Sequence, residues 1–243
     1  MSIFNYNNKV FVWNNKILKT AWKPNKINGI EFWSDSSIKN IKLNDNLVYD
    51  WIDISGKMNN ATQDFISYFP TVVENAINGY SSLYFQDNKY LKIPLYLDQF
   101  TIFTVIKSND NGVVYEFGDN TTGFYLSGEE KAISTNKVVY SVKKNSNNWL
   151  SGNWKILTHQ YNGTNSSHKL YINNSNINLG TYMGYDFDPG LLSYNNVLNV
   201  GSKSDGINGV NAYIAEYIVY NNYLSYDEIS MVNNYLNNKY LIY

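Results

Sequence analysis

The sequence contains no cysteine and no arginine among its 243 residues. A chain without cysteine has no disulfide framework, no thiolate zinc site and no cysteine nucleophile. Its 19 basic residues are all lysines, and 20 acidic residues balance them to a net charge of −1. Nucleic-acid-binding proteins usually carry a basic face, so this balance argues against a nucleic-acid partner.

Long apolar segments are also missing from the sequence. No run approaches the roughly 18 apolar residues that a membrane-spanning helix requires. The first residues, MSIFNYNNKVFVWNNKILK, lack the apolar centre of a secretory signal peptide. We therefore expect no membrane span, and a chain that is made and folded in a cytoplasm.

Asparagine and aromatic residues are abundant instead. The sequence has about 40 asparagines, and with the many lysines, tyrosines and isoleucines these are what AT-rich codons supply, so we interpret them first as coding history. Aromatic residues make up 16% of the chain, with 23 tyrosines and 6 tryptophans. That content is ample for a packed core and argues against disorder.

Short segments rich in β-branched and aromatic residues alternate with turn residues along the chain. This rhythm predicts an all-β sandwich or barrel. The main strand candidates are residues 81–86, 90–94, 100–108, 112–118, 123–128, 137–143, 154–162, 168–174, 197–203 and 212–222.

The two ends of the chain differ from this rhythm. Residues Lys9 to Lys19 alternate around Asn14-Asn15 and predict a small β-hairpin. Near the other end, Ser225 and Glu228 have the spacing of a capping box, and apolar residues then recur at helical intervals. We predict one C-terminal helix from about Tyr226 to Lys239.

Five segments, taken in order, resemble the laminin-G-like domains of the concanavalin A-like lectin and glucanase superfamily. The resemblance covers about residues 26–240 and departs from the family pattern at Tyr213, where glycine is usual. The segments are NGIEFWSDSS (28–37), VYDWIDISGKMNNATQ (48–63), PTVVENAINGYSSLYFQDNKYL (70–91), FTIFTVIKS (100–108) and the stretch from LNVGSK to NNKY (198–240).

The resemblance implies a jelly-roll β-sandwich of two antiparallel sheets, with the C-terminal helix and the N-terminal hairpin added. We expect residues 1–25 to form an anchoring or oligomerising segment and residues 26–243 to form the sandwich domain. Domains of this type are frequent in phage structural and fibre proteins. The implied function is therefore a non-enzymatic virion protein, such as a decoration protein, head fibre or tail fibre, that adheres to host-surface glycans. The alternatives are a free carbohydrate-binding module and a bacterial surface adhesin.

The N-terminal hairpin is the expected contact with other virion proteins, or with further copies of the chain. It carries Phe4, Tyr6, Phe11 and Trp13 on an element too small to bury them alone. Packing on the chain's own sandwich is the alternative.

Two aromatic loops are candidate glycan contacts. Sugar sites use aromatic rings as platforms and asparagine or aspartate side chains as hydroxyl partners. The segments 145–154 and 182–190 have this mixture, and we name Trp149, Tyr182 and Tyr185 as candidate contacts. Packing in the core or within the loops is the competing interpretation.

The segment WIDISGKMNNATQ, residues 51–63, has two interpretations. Asp53, Asn60 and a backbone carbonyl are oxygen ligands of the kind calcium takes, but calcium needs six to eight of them. Asp and Asn side chains also bond nearby backbone N–H groups in turns, and Gly56 supplies a left-handed residue. We favour the turn, and predict no cofactor, with calcium as the alternative.

Glucanases of this superfamily carry Glu-x-Asp-x-(x)-Glu on one strand, which places the carboxylates on one face. No segment here fits. Glu116 and Asp119 lack a third acid, Glu129 and Glu130 would point to opposite faces, and residues 185–190 are turn-like. We predict no catalytic residues.

The two histidines, His159 and His168, lie in strands predicted to be neighbours, where they could face one another. Two histidines alone do not close a metal site. We therefore predict no metal site from them.

Overall fold

The structure is a computed structural model that describes most of the chain. For the strands within residues 10–19 and 122–143, the description covers the backbone alone. The described residues are 10–13, 16–19, 22–86, 88–108, 112–117, 122–126, 130–135, 138–143, 152–162, 169–177, 197–202, 206 and 209–243.

Short β-strands dominate the described residues, as the sequence predicts. One α-helix, α1 (Tyr226–Tyr240), follows them, and three single turns of 3₁₀-helix lie at Pro24–Lys26, Ile38–Asn40 and Ile66–Tyr68. The strands are β1 (Val10–Trp13), β2 (Lys16–Lys19), β3 (Ile30–Asp35), β4 (Ile41–Asn44), β5 (Leu47–Trp51), β6 (Ala61–Thr62), β7 (Thr71–Ile77), β8 (Tyr80–Phe85), β9 (Leu91–Ile93), β10 (Phe100–Ser108), β11 (Gly112–Phe117), β12 (Thr122–Leu126), β13 (Glu130–Thr135), β14 (Val138–Lys143), β15 (Lys155–Tyr161), β16 (Lys169–Ile172), β17 (Ser175–Ile177), β18 (Leu198–Val200) and β19 (Ala212–Tyr220).

The strands form two antiparallel layers, which confirms the predicted sandwich. Sheet A runs β17-β16-β15-β10-β19. Its next position is shared, because β3 and β8 both pair with β19 at different ends, and β7 follows β8. Sheet B runs β4-β5-β6-β9-β18-β11-β12-β13-β14. Among the described strands, the pairing of Leu47 with Thr71 joins the layers.

A first hydrophobic core lies between the two sheets. Trp51 is fully buried there, and its ring meets Phe32 with 5.8 Å between centroids. Its indole Nε1 donates to the carbonyl of Asp35 at 2.8 Å, so the ring also has a polar partner. Ile102 and Ile106 of β10 face this core.

A second core lies between sheet A and α1. Phe103 and Val105 of β10 face it, so one strand supplies both cores. Burial on both faces explains why β10 carries apolar residues on both of its faces. The helix begins at the predicted capping box, with the Glu228 amide donating to Ser225 Oγ at 3.3 Å, and it ends one residue beyond the predicted limit.

The predicted N-terminal hairpin is confirmed as β1 and β2, which pair with each other in a separate two-stranded sheet. Sequence patterns missed some short strands, such as β6, which has two residues. The boundary between residues 25 and 26 stays a prediction. In the described part of the chain, no helix has the length and apolarity that crossing a membrane would need.

Candidate functional site

A pocket of about 450 Å³ opens beside the C-terminal end of α1. It lies where three segments meet: the β7–β8 turn, the residues that lead into β15, and the last turn of the helix with the residues after it. The lining residues are Ala76, Ile77, Asn78, Asn153, Trp154, Lys155, Tyr240, Leu241 and Ile242. Ligand pockets in proteins are commonly of about 300–1,000 Å³, so this space fits a small ligand.

The β7–β8 turn forms one wall of the pocket. Asn78 and Gly79 have φ angles of 48° and 85°, which a two-residue hairpin turn requires at both central positions. The Asn78 side-chain Nδ2 donates to the carbonyl of Tyr240, so the turn is tied to the helix end.

The helix end forms a second wall. Leu241 takes a left-handed conformation, with φ of 53°, and its N–H donates to the Asn237 carbonyl at 2.7 Å. The side-chain Oδ1 of Asn237 accepts the N–H groups of Ile242 and Tyr243, each at 2.9 Å. These bonds fix the three residues that follow the helix, because the backbone N–H of each one donates to an oxygen of Asn237.

The third wall is the entry to β15. Gly152 holds this segment in place, because its backbone N–H donates a hydrogen bond to the Ser108 carbonyl at 3.2 Å. Asn153 is exposed and Trp154 is half-buried, packed against the helix-side core and edge-on to Tyr213 with 6.4 Å between ring centroids. The indole therefore has a supported position while part of it stays open to solvent.

A buried charge network holds the helix end on sheet A next to this pocket. Lys239 Nζ lies 2.7 Å from both Asp35 Oδ2 and Glu216 Oε2. Trp33 Nε1 donates to Glu216 Oε1 at 2.7 Å, and the Tyr240 hydroxyl donates to Oε2 at 2.8 Å. Glu216 is almost fully buried, at a bulge of β19 between the parts that pair with β3 and β8.

The network changes the proton affinity of its members. Burial opposes ionisation of Asp35, but the charge and hydrogen bond of Lys239, with bonds from Ser37, outweigh it and lower the Asp35 pKa to about 2. Burial also opposes the Lys239 cation, yet the two carboxylates raise its pKa above the usual value. Burial and the nearby Glu216 carboxylate raise the pKa of the Tyr240 hydroxyl well above its usual range. All three groups therefore hold their neutral-pH charge states firmly.

The loop after Trp51 has the hydrogen bonds that the turn interpretation predicts. Asp53 Oδ1 accepts the N–H groups of Trp33 at 3.0 Å and Ser55 at 2.8 Å. Its Oδ2 accepts the Ser55 hydroxyl at 2.8 Å and the Asn59 N–H at 3.1 Å. Asn60 Oδ1 accepts the Asp53 N–H at 3.0 Å. The side-chain oxygens of Asp53 and Asn60 are thus already bonded to protein donors. The absence of a cofactor stays a prediction, with calcium as the alternative.

Several predicted site residues fall outside the description. Trp149, Tyr182 and Tyr185, the predicted glycan contacts, lie outside the described residues. Phe4 and Tyr6 do so as well. The backbone of Phe11 and Trp13 lies in β1, opposite Leu18 and Lys16. The glycan and attachment roles of these residues stay predictions.

Two residues considered for catalysis or metal binding are buried. Glu116 is fully buried in β11, opposite Asn199. His159 lies between the sheets, with its Nδ1 at the Tyr115 hydroxyl and its ring edge-on to Phe100. The strands β15 and β16 do pair, but His159 stands opposite Leu170, and His168 is outside the described residues. Across the described residues, no group of three or more metal-ligating side chains comes together.

Sequence reasoning named none of the pocket residues as a glycan contact, although one predicted segment reaches the pocket. Trp154 and Asn153 end the segment 145–154 that the composition singled out as a candidate loop. Asn78 carried the signal of a hairpin turn, Asn-Gly, but nothing in the sequence placed that turn beside Tyr240. The pocket exists because the helix end lies across sheet A.

Comparison with known proteins supports the fold. No protein-family model matches the sequence, and no curated protein matches it either. One similar solved structure is the binding domain of Paraclostridial Mosquitocidal Protein 1, with 13% identity, a TM-score of 0.59, and coverage of 89% of this chain and 54% of that one. Another is Trypanosoma rangeli sialidase in complex with sialic acid, with 12% identity, a TM-score of 0.58, and coverage of 88% and 33%.

This chain therefore spans about half of the first structure and a third of the second. At such low identity the likeness establishes the β-sandwich fold. That fold is common to binding domains and to parts of enzymes, so the fold does not choose between them.

Proposed function

We propose that this chain is a non-enzymatic binding module that holds a sugar in the pocket beside the helix end. The observation that carries the proposal is the half-buried Trp154, which lines an open pocket together with the amides of Asn78 and Asn153. An aromatic ring supports the apolar face of a pyranose, and side-chain amides both donate to and accept from its hydroxyls. Known structures with this fold include a protein described as a binding domain and a sialidase in complex with sialic acid, which supports a module of the same kind.

The charges around the pocket favour binding over catalysis. Glycoside hydrolysis generally uses two carboxyl groups placed on either side of the scissile bond. Among the residues that the structure describes, the pocket lining includes Lys155 but no acidic residue. The nearby acids Asp35 and Glu216 both form ion pairs with Lys239 that hold the helix end on the sheet.

The proposal extends to display on a virus particle, with the N-terminal hairpin as the attachment segment. Its support is the resemblance to domains of phage fibre and decoration proteins, together with the aromatic residues Phe4, Tyr6, Phe11 and Trp13 on a two-stranded element. A two-stranded sheet is marginally stable by itself, so a partner surface would stabilise it. A free glycan-binding module, without a particle, is the alternative.

A glycan array probed with the purified chain tests the binding proposal. We expect hits that Trp154→Ala abolishes and Asn153→Ala weakens. Phe65→Ala is the matched control, because Phe65 is a 63% exposed aromatic residue outside the pocket lining, and its loss should leave the hits unchanged. An array without hits, or hits that survive Trp154→Ala, would remove the proposal. Release of free sugar from a bound glycan would show an enzyme instead.

Cosedimentation of the purified chain with virus particles tests whether residues 1–25 attach it to them. The full chain is compared with a chain that begins at Lys26. We expect the shorter chain to lose attachment or self-association and to keep the array hits. Equal behaviour of both chains would overturn the attachment role and leave the glycan proposal standing.

A further inference from the structure

The β7–β8 turn combines features that favour one chemical modification. Asn78 is exposed at the tip of the hairpin and is followed by Gly79. A Cβ placed on Gly79 would meet no atom within 4 Å, so the backbone around it is open. The amide of Asn78 is held by one hydrogen bond, to the Tyr240 carbonyl.

We propose that Asn78 is a site of spontaneous deamidation, and that the reaction alters the pocket wall. The Gly79 amide nitrogen loses its proton to hydroxide and attacks Cγ of Asn78. Nδ2 takes a proton from water, which regenerates hydroxide. The bond from Cγ to Nδ2 then breaks, ammonia leaves, and a five-membered imide remains. Water then opens the imide to aspartate or isoaspartate. Glycine favours ring closure because no side chain on the following residue obstructs the attack.

The other asparagine-glycine pair whose two residues are both described is Asn28-Gly29, and its surroundings differ. A Cβ on Gly29 would lie 2.2 Å from Asn222 Nδ2 and 2.5 Å from Asn221 Oδ1, so this backbone is enclosed. The Asn28 carbonyl accepts from Asn222 at 3.1 Å, and the Gly29 carbonyl accepts from the Asn221 N–H at 2.8 Å. Ring closure needs the backbone to rotate, and these contacts resist rotation at Asn28 more than at Asn78.

The product would carry a negative charge where Asn78 donates a hydrogen bond. Its carboxylate would face the Tyr240 carbonyl at the C-terminal end of α1, which is the negative end of the helix dipole. A lost donor and a repulsive contact would both loosen the turn from the helix end. Reduced sugar binding would be a further consequence, and it rests on the proposed function. The deamidation itself and the loosened turn do not depend on that function.

Peptide mass spectrometry of the full chain, aged at mildly alkaline pH, tests the site. We expect deamidation at Asn78 to be several-fold faster than at Asn28 in the same sample. Asn78→Gln keeps the amide but closes a ring much more slowly, so this variant should stay unmodified at position 78. Conversion at Asn78 that is no faster than at Asn28 would overturn the proposed site.

Thermal unfolding and the glycan array then test the effect. Aged wild-type protein and freshly prepared Asn78→Asp should both show a lower Tm than fresh wild type, and Asn78→Gln should age without this loss. Modification without any change in Tm would overturn the effect on the pocket wall. If the fresh wild type shows no array hits, the proposed function fails while the modification is still decided by the mass and Tm measurements.

Discussion

The loop at residues 51–63 and the pocket beside the helix end both contain asparagine and tryptophan, but they differ in how far their polar side chains are hydrogen-bonded within the protein. In the loop, both carboxylate oxygens of Asp53 accept protein donors, and Asn60 closes the same network. In the pocket, Asn153 and part of Trp154 remain open to solvent. The loop therefore uses its polar groups within the fold, whereas the pocket leaves such groups exposed.

The two regions also depend on different parts of the chain. In the loop, Asp53 makes four of its five hydrogen bonds to Ser55, Asn59 and Asn60 of the same segment, and the fifth comes from the distant Trp33 N–H. The pocket wall depends on α1, and a buried contact between Lys239, Asp35 and Glu216 holds the end of that helix. Changes in the network should therefore disturb the pocket, and changes in the loop should not.

The largest effect is expected from Lys239→Met. Removing the cation leaves the buried Glu216 carboxylate and the partly buried Asp35 carboxylate without their partner, which should lower the free energy of unfolding by about 3–5 kcal/mol. Urea unfolding measures the loss. Lys57→Met is the control, because Lys57 is half exposed and lies 3.6 Å from Glu31, and such exposed pairs contribute at most about 1 kcal/mol. Similar losses in both variants would contradict the buried network.

Asp53→Ala should have the next largest effect. It leaves the N–H groups of Trp33, Ser55 and Asn59 without their acceptor, and we expect a loss of about 2–3 kcal/mol because bonds to charged groups are strong. Sugar binding by the folded variant should match that of the wild type. If the variant unfolds like the wild type but no longer binds on the array, Asp53 serves binding and not stability, which would contradict the roles given to the loop and the pocket.

Acid should weaken the helix end through Asp35. Its folded pKa is about 2, below the ordinary value of 3.8, so the ion pair stabilises the fold above pH 3.8 and this contribution is lost as the pH falls through 2. A shift of this size corresponds to about 2 kcal/mol. Urea unfolding at a series of pH values should show a smaller acid dependence in Asp35→Asn, and an unchanged dependence would exclude Asp35 as a source.

The smallest effect is expected from Asn60→Ala. It removes the acceptor of the Asp53 N–H at 3.0 Å and a long bond to Asp50 Oδ2 at 3.4 Å, and should cost about 1 kcal/mol. Asn153→Ala is the matched control, since this side chain is exposed and should change stability by less than about 0.5 kcal/mol. Urea unfolding should therefore show a larger loss of stability for Asn60→Ala than for Asn153→Ala. On the glycan array, Asn153→Ala should show the larger loss of binding.

The fold was largely predictable because its signals are local. Alternating segments such as 100–108 match β10 at both ends, and the capping box placed the start of α1. The two-residue strand β6 was missed because a period of two residues needs more positions than it offers. At Tyr213, where the family usually has glycine, the chain continues as a strand, and the ring stacks on Tyr84 with 4.6 Å between centroids.

The candidate site was less predictable because it depends on residues far apart in the sequence. The turn at Asn78 and the helix end at Tyr240 are separated by 162 positions, yet one hydrogen bond joins them. The ion pairs of Lys239 could not be predicted either, since no sequence spacing rule connects Asp35 with Lys239. Sequence patterns located the aromatic segment that ends at Trp154, but only the packing of α1 on sheet A makes a pocket there.

The position of β19 in the middle of sheet A has a consequence for synthesis on the ribosome. This strand pairs with β10, β3 and β8, yet it comes near the end of the described sequence. Earlier strands must wait, with part of their apolar faces uncovered, until residues 212–220 have left the exit tunnel. A nascent chain stalled before residue 212 should therefore be the form that chaperones hold.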